Sequence, residues 1–299
     1  MIEINLINVI SSSVLFLIGF PGNILILHFF ITSRKKKSNH NLFLIHIAIA
    51  DVITCFVRFV AVISTTFMVN QSRITNAICR YGWSIPFIAS DVSVCILCGM
   101  SFDRYLKVTR PLGKKLPQRI IHTTCCFYYA LGAFLWVYYY YWREMDTGTH
   151  FCIGANRPPN IILVSTIIVN FLLMFLLPVF LIVYMFARMS NVLKRQSEFV
   201  QQSTRQDSAN HNLVALGTLK ALTLLMLVTV ALPKIMLPIL YRSSQMGLHY
   251  EWLDLFEMCV TNLVFVNSSI NVLVYLYHMK DFKNYCSNVI KKPLSICKK

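Results

Sequence analysis

Residues 101–108 read SFDRYLKV, and the stretch leading into them, IPFIASDVSVCILCGM (85–100), is apolar almost throughout. An acid, Asp103, and a base, Arg104, stand side by side where that segment ends. A charged side chain at the centre of a hydrocarbon layer costs about 2.5–3.5 kcal/mol on insertion scales, and much less at its edge. The pair therefore reads as a boundary between hydrocarbon and water. Composition agrees: 56% of the 299 residues are hydrophobic and 13% charged, whereas soluble domains carry about a quarter charged. So many apolar residues cannot be hidden in one core, and the chain reads as a membrane protein.

A helix crosses the bilayer in about 20 mostly apolar residues. Seven stretches qualify, at about 7–31, 41–66, 78–103, 119–142, 160–187, 213–241 and 252–277. The breaks between them are polar and mostly short, as in SRKKKSNH (33–40); the longest, KRQSEFVQQSTRQDSAN (194–210), is loop by composition. The expectation is one all-α domain over 1–299, a seven-transmembrane helix bundle with no separate soluble domain and no internal repeat.

With the N-terminus outside, the inner side holds 34–37, the 104–119 loop, the 188–220 segment and the tail. These carry 21 of the 28 Lys and Arg residues against four acids, Asp103, Glu198, Asp207 and Asp281. The net charge of +16 is then a topology signal rather than a nucleic-acid footprint. Glu3 and the lack of a basic n-region make span 1 an uncleaved anchor in this reading.

SFDRY is one of an ordered set. Span 1 carries Gly22–Asn23, and span 2 carries IAIAD ending in Asp51. Cys79 precedes Arg104 by 25 residues, and Cys152 lies between spans 4 and 5. Pro178 and Pro233 mark spans 5 and 6, span 7 carries NSSINVLVY (267–275), and Phe282 follows Tyr275 by seven. In that order the chain resembles the rhodopsin-like (class A) G-protein-coupled receptors over nearly its whole length. The resemblance implies a plasma-membrane receptor without enzymatic activity, an extracellular small-molecule ligand, and a heterotrimeric G protein as partner, Gi-type favoured.

It also implies residue roles. Asp103, Arg104, Tyr105, Asn271 and Tyr275 correspond to the family's G-protein switch. In the inactive state Asp103 would hold the Arg104 guanidinium through a charge-assisted pair, and activation would release it; the alternative is a snorkelling pair that only anchors the helix end. Asn23, Asp51, Ser93, Asn267 and Asn271 correspond to the family's sodium pocket, an allosteric sodium ion being the one cofactor expected. A carboxylate as deep as Asp51 must be paired, protonated or near an ion, and oxygen ligands suit a hard cation. A hydrogen-bonded cluster without an ion is the other reading. Cys79 and Cys152 match the family's disulfide from helix 3 to the second outer loop, on the oxidising side.

Cys55, Cys95, Cys98, Cys125, Cys126 and Cys259 read as small buried hydrophobes. Cys286 and Cys297 are juxtamembrane and are candidates for lipidation. Phe282, Tyr285, Val289 and Ile290 recur at helical spacing with lysines between, so a short C-terminal amphipathic helix over about 279–290 is expected on the membrane lipids of the inner leaflet. Asn70-Gln71-Ser72 is a glycosylation sequon.

The chain also departs from the family. Val272 stands where helix 7 usually has proline, which implies a weaker inner kink. Ala231 replaces a frequent tryptophan two before Pro233, and Phe186 replaces a tyrosine eight after Pro178. The helix 4 tryptophan position falls on Leu131, with Trp136 five further on, and Pro238 competes with Pro233 as the helix 6 motif proline. An orphan or weakly coupling receptor is compatible with these changes.

For the ligand, the outer part of span 3 offers Trp83, Pro86 and Ser90. Amine receptors carry an aspartate at the Pro86 position, so a biogenic amine is disfavoured. Span 7 has no lysine, which excludes a retinal Schiff base, and the short stretch before span 1 reads against a large hormone-binding ectodomain. Arg58, Lys234 and Arg242 invite an organic anion such as a hydroxy or fatty acid or a nucleotide; equally, Lys234 or Arg58 could be neutralised by Asp91. FLLMFLLPVFLIVYMFARMSNVLKRQ (171–196) resembles helix 5 of the hydroxycarboxylic-acid and oxoeicosanoid receptors, and DRYLKV and VNSSINVLVY resemble that branch and the purinergic nucleotide receptors. The arginines of the acid receptors are unmatched, Ser90 and Pro238 standing in their places. A peptide ligand is the alternative.

A transporter would want coupled charges along a path and usually a repeat. An enzyme would want a nucleophile with its base or a metal set, and the eight histidines are scattered with no HExxH. A receptor remains the reading.

Overall fold

Inside hydrocarbon every backbone N–H and C=O must be satisfied within the protein, so apolar stretches become helices. The computed structural model describes residues 2–32, 38–67, 73–110, 112–113, 116–145, 152–154, 161–200, 220–236 and 251–296. Four long helices come first: α1 (Ile2–Thr32), α2 (Asn39–Phe67), α3 (Arg73–Thr109) and α4 (Gln118–Trp142). An antiparallel hairpin of β1 (Arg143–Met145) and β2 (Cys152–Gly154) follows, with Glu144 opposite Ile153. The fifth membrane helix is α5 (Ile161–Asn170), a π-helical turn (Phe171–Leu176) and α6 (Leu177–Val200). Then come α7 (220–236), α8 (Glu251–His278) and α9 (Lys280–Ile296).

Leu6–Thr32, Asn39–Phe67, Asn76–Thr109, Gln118–Val137, Val164–Val192 and Met258–His278 are each long and apolar enough to cross a membrane. With α7, the described part of the stretch expected at 213–241, they make the seven-helix bundle. The hairpin and the π-turn are additions to what the sequence suggested. The π-turn has a cause in Pro178, which lacks an N–H and blocks the carbonyl four residues back. That carbonyl belongs to Met174, and the Cys95 thiol approaches it at 3.9 Å. Cys95 thus supplies the weak donor that proline withholds.

α3 is the central helix, packed against α2, α4, α6 and α8. Ile96, Met100, Ile26, Leu44, Met189 and Tyr275 are almost wholly enclosed, while Leu17, Phe134, Phe180 and Val228 face outward toward lipid. Small residues set the closest approaches, as is usual where lipid gives no hydrophobic drive between helices. A Cβ on Gly82 would lie 2.2 Å from Ala61 Cβ, and one on Gly22 would lie 2.9 Å from Val272 Cγ1. Val272 continues α8 as helix and fills the space Gly22 leaves.

α9 turns away from α8 at Met279. Phe282 is fully buried, with ring centroids 5.3 Å from Phe29 and 6.4 Å from Tyr275. Tyr285 hydrogen-bonds His28, while Lys280, Asp281, Lys283 and Asn284 stay exposed. The amphipathic helix is present and runs to Ile296, beyond the expected 290. Cys286 differs from expectation. It sits on the inward stripe with Phe282, is 8% exposed, and burial pushes its thiol above the ordinary range. This packing does not present it for lipidation.

Candidate functional site

Three polar layers lie along α3. At the inner end Asp103 is enclosed, and its carboxylate is taken from two sides. Asn39 Nδ2 donates to Oδ1 at 2.9 Å, and Lys107 Nζ pairs with Oδ2 at 2.5 Å. The same Asn39 nitrogen donates to the Leu116 carbonyl at 3.0 Å. The expected Asp103–Arg104 pair is not formed. Consecutive residues project about 100° apart around a helix, whereas Lys107, four residues on, shares the Asp103 face. Arg104 is nevertheless buried, and its Nε has no hydrogen-bond partner among the described residues. Tyr105 beside it is half-buried. Tyr275 is enclosed with its hydroxyl unpartnered among the described residues, edge-on to Phe30 and Phe282.

In mid-membrane, Asn271 Nδ2 donates to Asp51 Oδ2 at 2.6 Å. Asn23 Nδ2 bridges α1 to α8, donating to the Gly19 and Ser268 carbonyls at 2.9 and 2.8 Å. Ser93 turns its hydroxyl back to the Ala89 carbonyl, and Asn267 Oδ1 accepts from Thr229 of α7 at 3.1 Å. All five are buried, but Asp51–Asn271 is the one direct hydrogen bond among them that is described. Asp51 Oδ1 and Asn23 Oδ1 stay enclosed without a hydrogen-bond partner among the described residues. Two orphaned oxygens, one of a carboxyl and one of an amide, are ligands of the type a hard cation takes.

The outer layer centres on Asp91. Its Oδ2 accepts from Trp136 Nε1 at 2.8 Å and Asn170 Nδ2 at 3.0 Å, and its Oδ1 pairs with Lys234. Asn170 Oδ1 in turn accepts from Lys234 Nζ at 2.9 Å, and that ammonium lies 5.7 Å from the centre of a Trp136 ring. Lys234 therefore does not wait for an external anion; Asp91 supplies its counter-charge. Pro86 and Ser90 lie buried on α3, the Ser90 hydroxyl without a hydrogen-bond partner among the described residues. Arg58 is buried against α1 and α8, donating to Asn8 Oδ1 at 3.3 Å with its guanidinium 4.6 Å from the Phe265 ring centre.

Cys79 is wholly buried and disulfide-bonded. Cys152 opens β2, and the hairpin packs on α3 through β1. Trp83 lies within α3; its side chain and that of Cys152 lie outside the described part, as do Asn70, Arg242 and Cys297 entirely. Asn39 and Asn170 were not singled out from sequence. Asn170 had a signal, as the lone amide in the apolar run IILVSTIIVNFLLMFLLP (161–178).

The model for the 7 transmembrane receptor (rhodopsin family) matches residues 22–275. The crystal structure of squid rhodopsin superposes with a TM-score of 0.76 over 99% of this chain and 87% of that one, at 18% identity, which shows the fold. "Probable G-protein coupled receptor 34" of Pan troglodytes is 24% identical over 216 residues, 69% of this chain and 56% of that protein. "Muscarinic acetylcholine receptor M3" of Bos taurus is 36% identical over 101 residues, 34% of this chain and 17% of that one. The chain thus spans little more than half the length of the first of these relatives. With the family's match running from helix 1 to Tyr275, and with the fold those receptors share, this chain belongs to the rhodopsin family of seven-transmembrane receptors and is not an enzyme.

Proposed function

We propose that this chain sits in the plasma membrane with its N-terminus outside, receives an extracellular small ligand among its outer helix ends, and activates a heterotrimeric G protein, Gi-type favoured. The observation that carries this is Arg104, stored under cover at the inner end of the central helix while Asp103 is tied to Asn39 and Lys107. A buried guanidinium beside a restrained carboxylate is poised to be exposed when the inner ends part. The basic inner loops and the lysines of α9 suit an anionic leaflet.

Asp51 and Asn23 would hold a sodium ion that favours the resting arrangement, and Cys152 is the proposed partner of Cys79. A plain organic anion on Lys234 is set aside, because Asp91 already holds that base.

The test is nucleotide exchange on Gi heterotrimer in membranes bearing the full chain. Exchange above receptor-free membranes, lost in Arg104→Ala at equal surface level, supports the reading. Equal exchange with and without the chain, under every ligand tried, overturns it.

A further inference from the structure

The outer polar layer has a charge balance that constrains what can bind there. Asp91 lies twelve residues before Asp103, about 18 Å toward the outside along α3. Its side chain is 0% exposed, and Lys234 keeps 10% of its own. The carboxylate takes hydrogen bonds from α4 and α5 on Oδ2 and the α7 ammonium on Oδ1, and Asn170 touches both charges, donating to one and accepting from the other.

A charged ligand that binds against the pair exchanges partners with it. An acid that captures Lys234 strands a fully buried carboxylate, and an amine that captures Asp91 strands a buried ammonium. Removing one partner of a buried pair is far more costly than keeping both or neither. A molecule carrying both groups escapes that cost, since its acid replaces Asp91 at Lys234 and its ammonium replaces Lys234 at Asp91.

Building on the receptor reading, we infer that Asp91 and Lys234 are a specificity-determining pair for the ligand and that they select zwitterions, molecules joining an acid group to an ammonium a few bonds away.

The experiment uses the full chain in membranes with Gi heterotrimer, and probes in matched sets: γ-aminobutyrate with butyrate and butylamine, and tryptophan with indole-3-propionate and tryptamine. The unmutated chain should respond to zwitterions at concentrations roughly a hundredfold below either half-molecule. Asp91→Asn should shift preference to the acids, Lys234→Gln to the amines, and the double neutral variant should lose charge preference. Should the single variants fail to reach the surface, the exchange Asp91→Lys with Lys234→Asp keeps both charges and should keep the zwitterion response.

A preference for acids or amines in the unmutated chain overturns the inference. So does silence toward the whole panel while basal exchange persists, or an exchanged pair at the surface that ignores zwitterions. Absence of exchange above receptor-free membranes in every variant fails the receptor reading instead.

Discussion

Asn39 ties Asp103 to the loop beyond α3: one side-chain nitrogen donates to Asp103 Oδ1 at 2.9 Å and to the Leu116 carbonyl at 3.0 Å. The start of α2, the end of α3 and the following loop are thereby joined at one amide. With Lys107 on the other carboxylate oxygen, both Asp103 oxygens are engaged without a direct bond to Arg104.

Asn39→Ala should therefore loosen the inner end. A hydrogen bond to a charged group contributes about 1.5–3 kcal/mol, so basal nucleotide exchange should rise about tenfold at unchanged surface level. Adding Lys107→Gln should raise it further. Basal exchange that stays flat in both variants would show that Asp103 restrains nothing.

Sodium should stabilise the unmutated chain and not Asp51→Asn. Binding to the folded state adds about 1.4 kcal/mol when sodium is ten times its dissociation constant. Thermal midpoints in sodium and choline chloride at equal ionic strength are the measurement. An unmutated chain indifferent to sodium would mean that the orphaned Asp51 oxygen is satisfied in some other way.

Cys79→Ser and Cys152→Ser should each cut surface expression severely, and the double variant should be no worse than either, because a single bridge is lost only once. A clearly additive double variant would assign Cys79 another partner.

Gly22→Ala should lower the thermal midpoint by overpacking the α1–α8 contact, at about 1–3 kcal/mol, since the added Cβ meets Val272 Cγ1 at 2.9 Å. Val272→Ala in the same chain should restore most of the loss. No recovery would place the clash elsewhere.

The seven spans were legible because apolar length is a one-dimensional property. The layers along α3 were legible only in part. Asp51 and Asn271 stood out as polar residues in apolar spans, and their hydrogen bond follows once α2 and α8 are neighbours. Adjacency misled at Asp103 and Arg104, since neighbours in sequence point to different sides of a helix. The sequence also left two fates open for Lys234, because the depth at which α7 faces α3 is set by packing that no local pattern records. Asn39 sits in a polar cluster, SNHN (38–41), where nothing marks one amide above another.

The π-turn before Pro178 has a geometric consequence for the outer layer. Asn170 and Pro178 are eight positions apart, which in a plain α-helix leaves them about 80° apart around the axis. The wider turn absorbs one residue, so the interval counts as seven and the two come within about 20° of the same bearing. Asn170 thus faces Asp91 on account of a proline eight residues further along the chain. Deleting one residue within Phe171–Leu176 would straighten the helix without turning Asn170 away, whereas deleting two would swing it off Asp91 by about 100°. The fifth helix is in this sense a vernier, set one notch forward by a missing N–H.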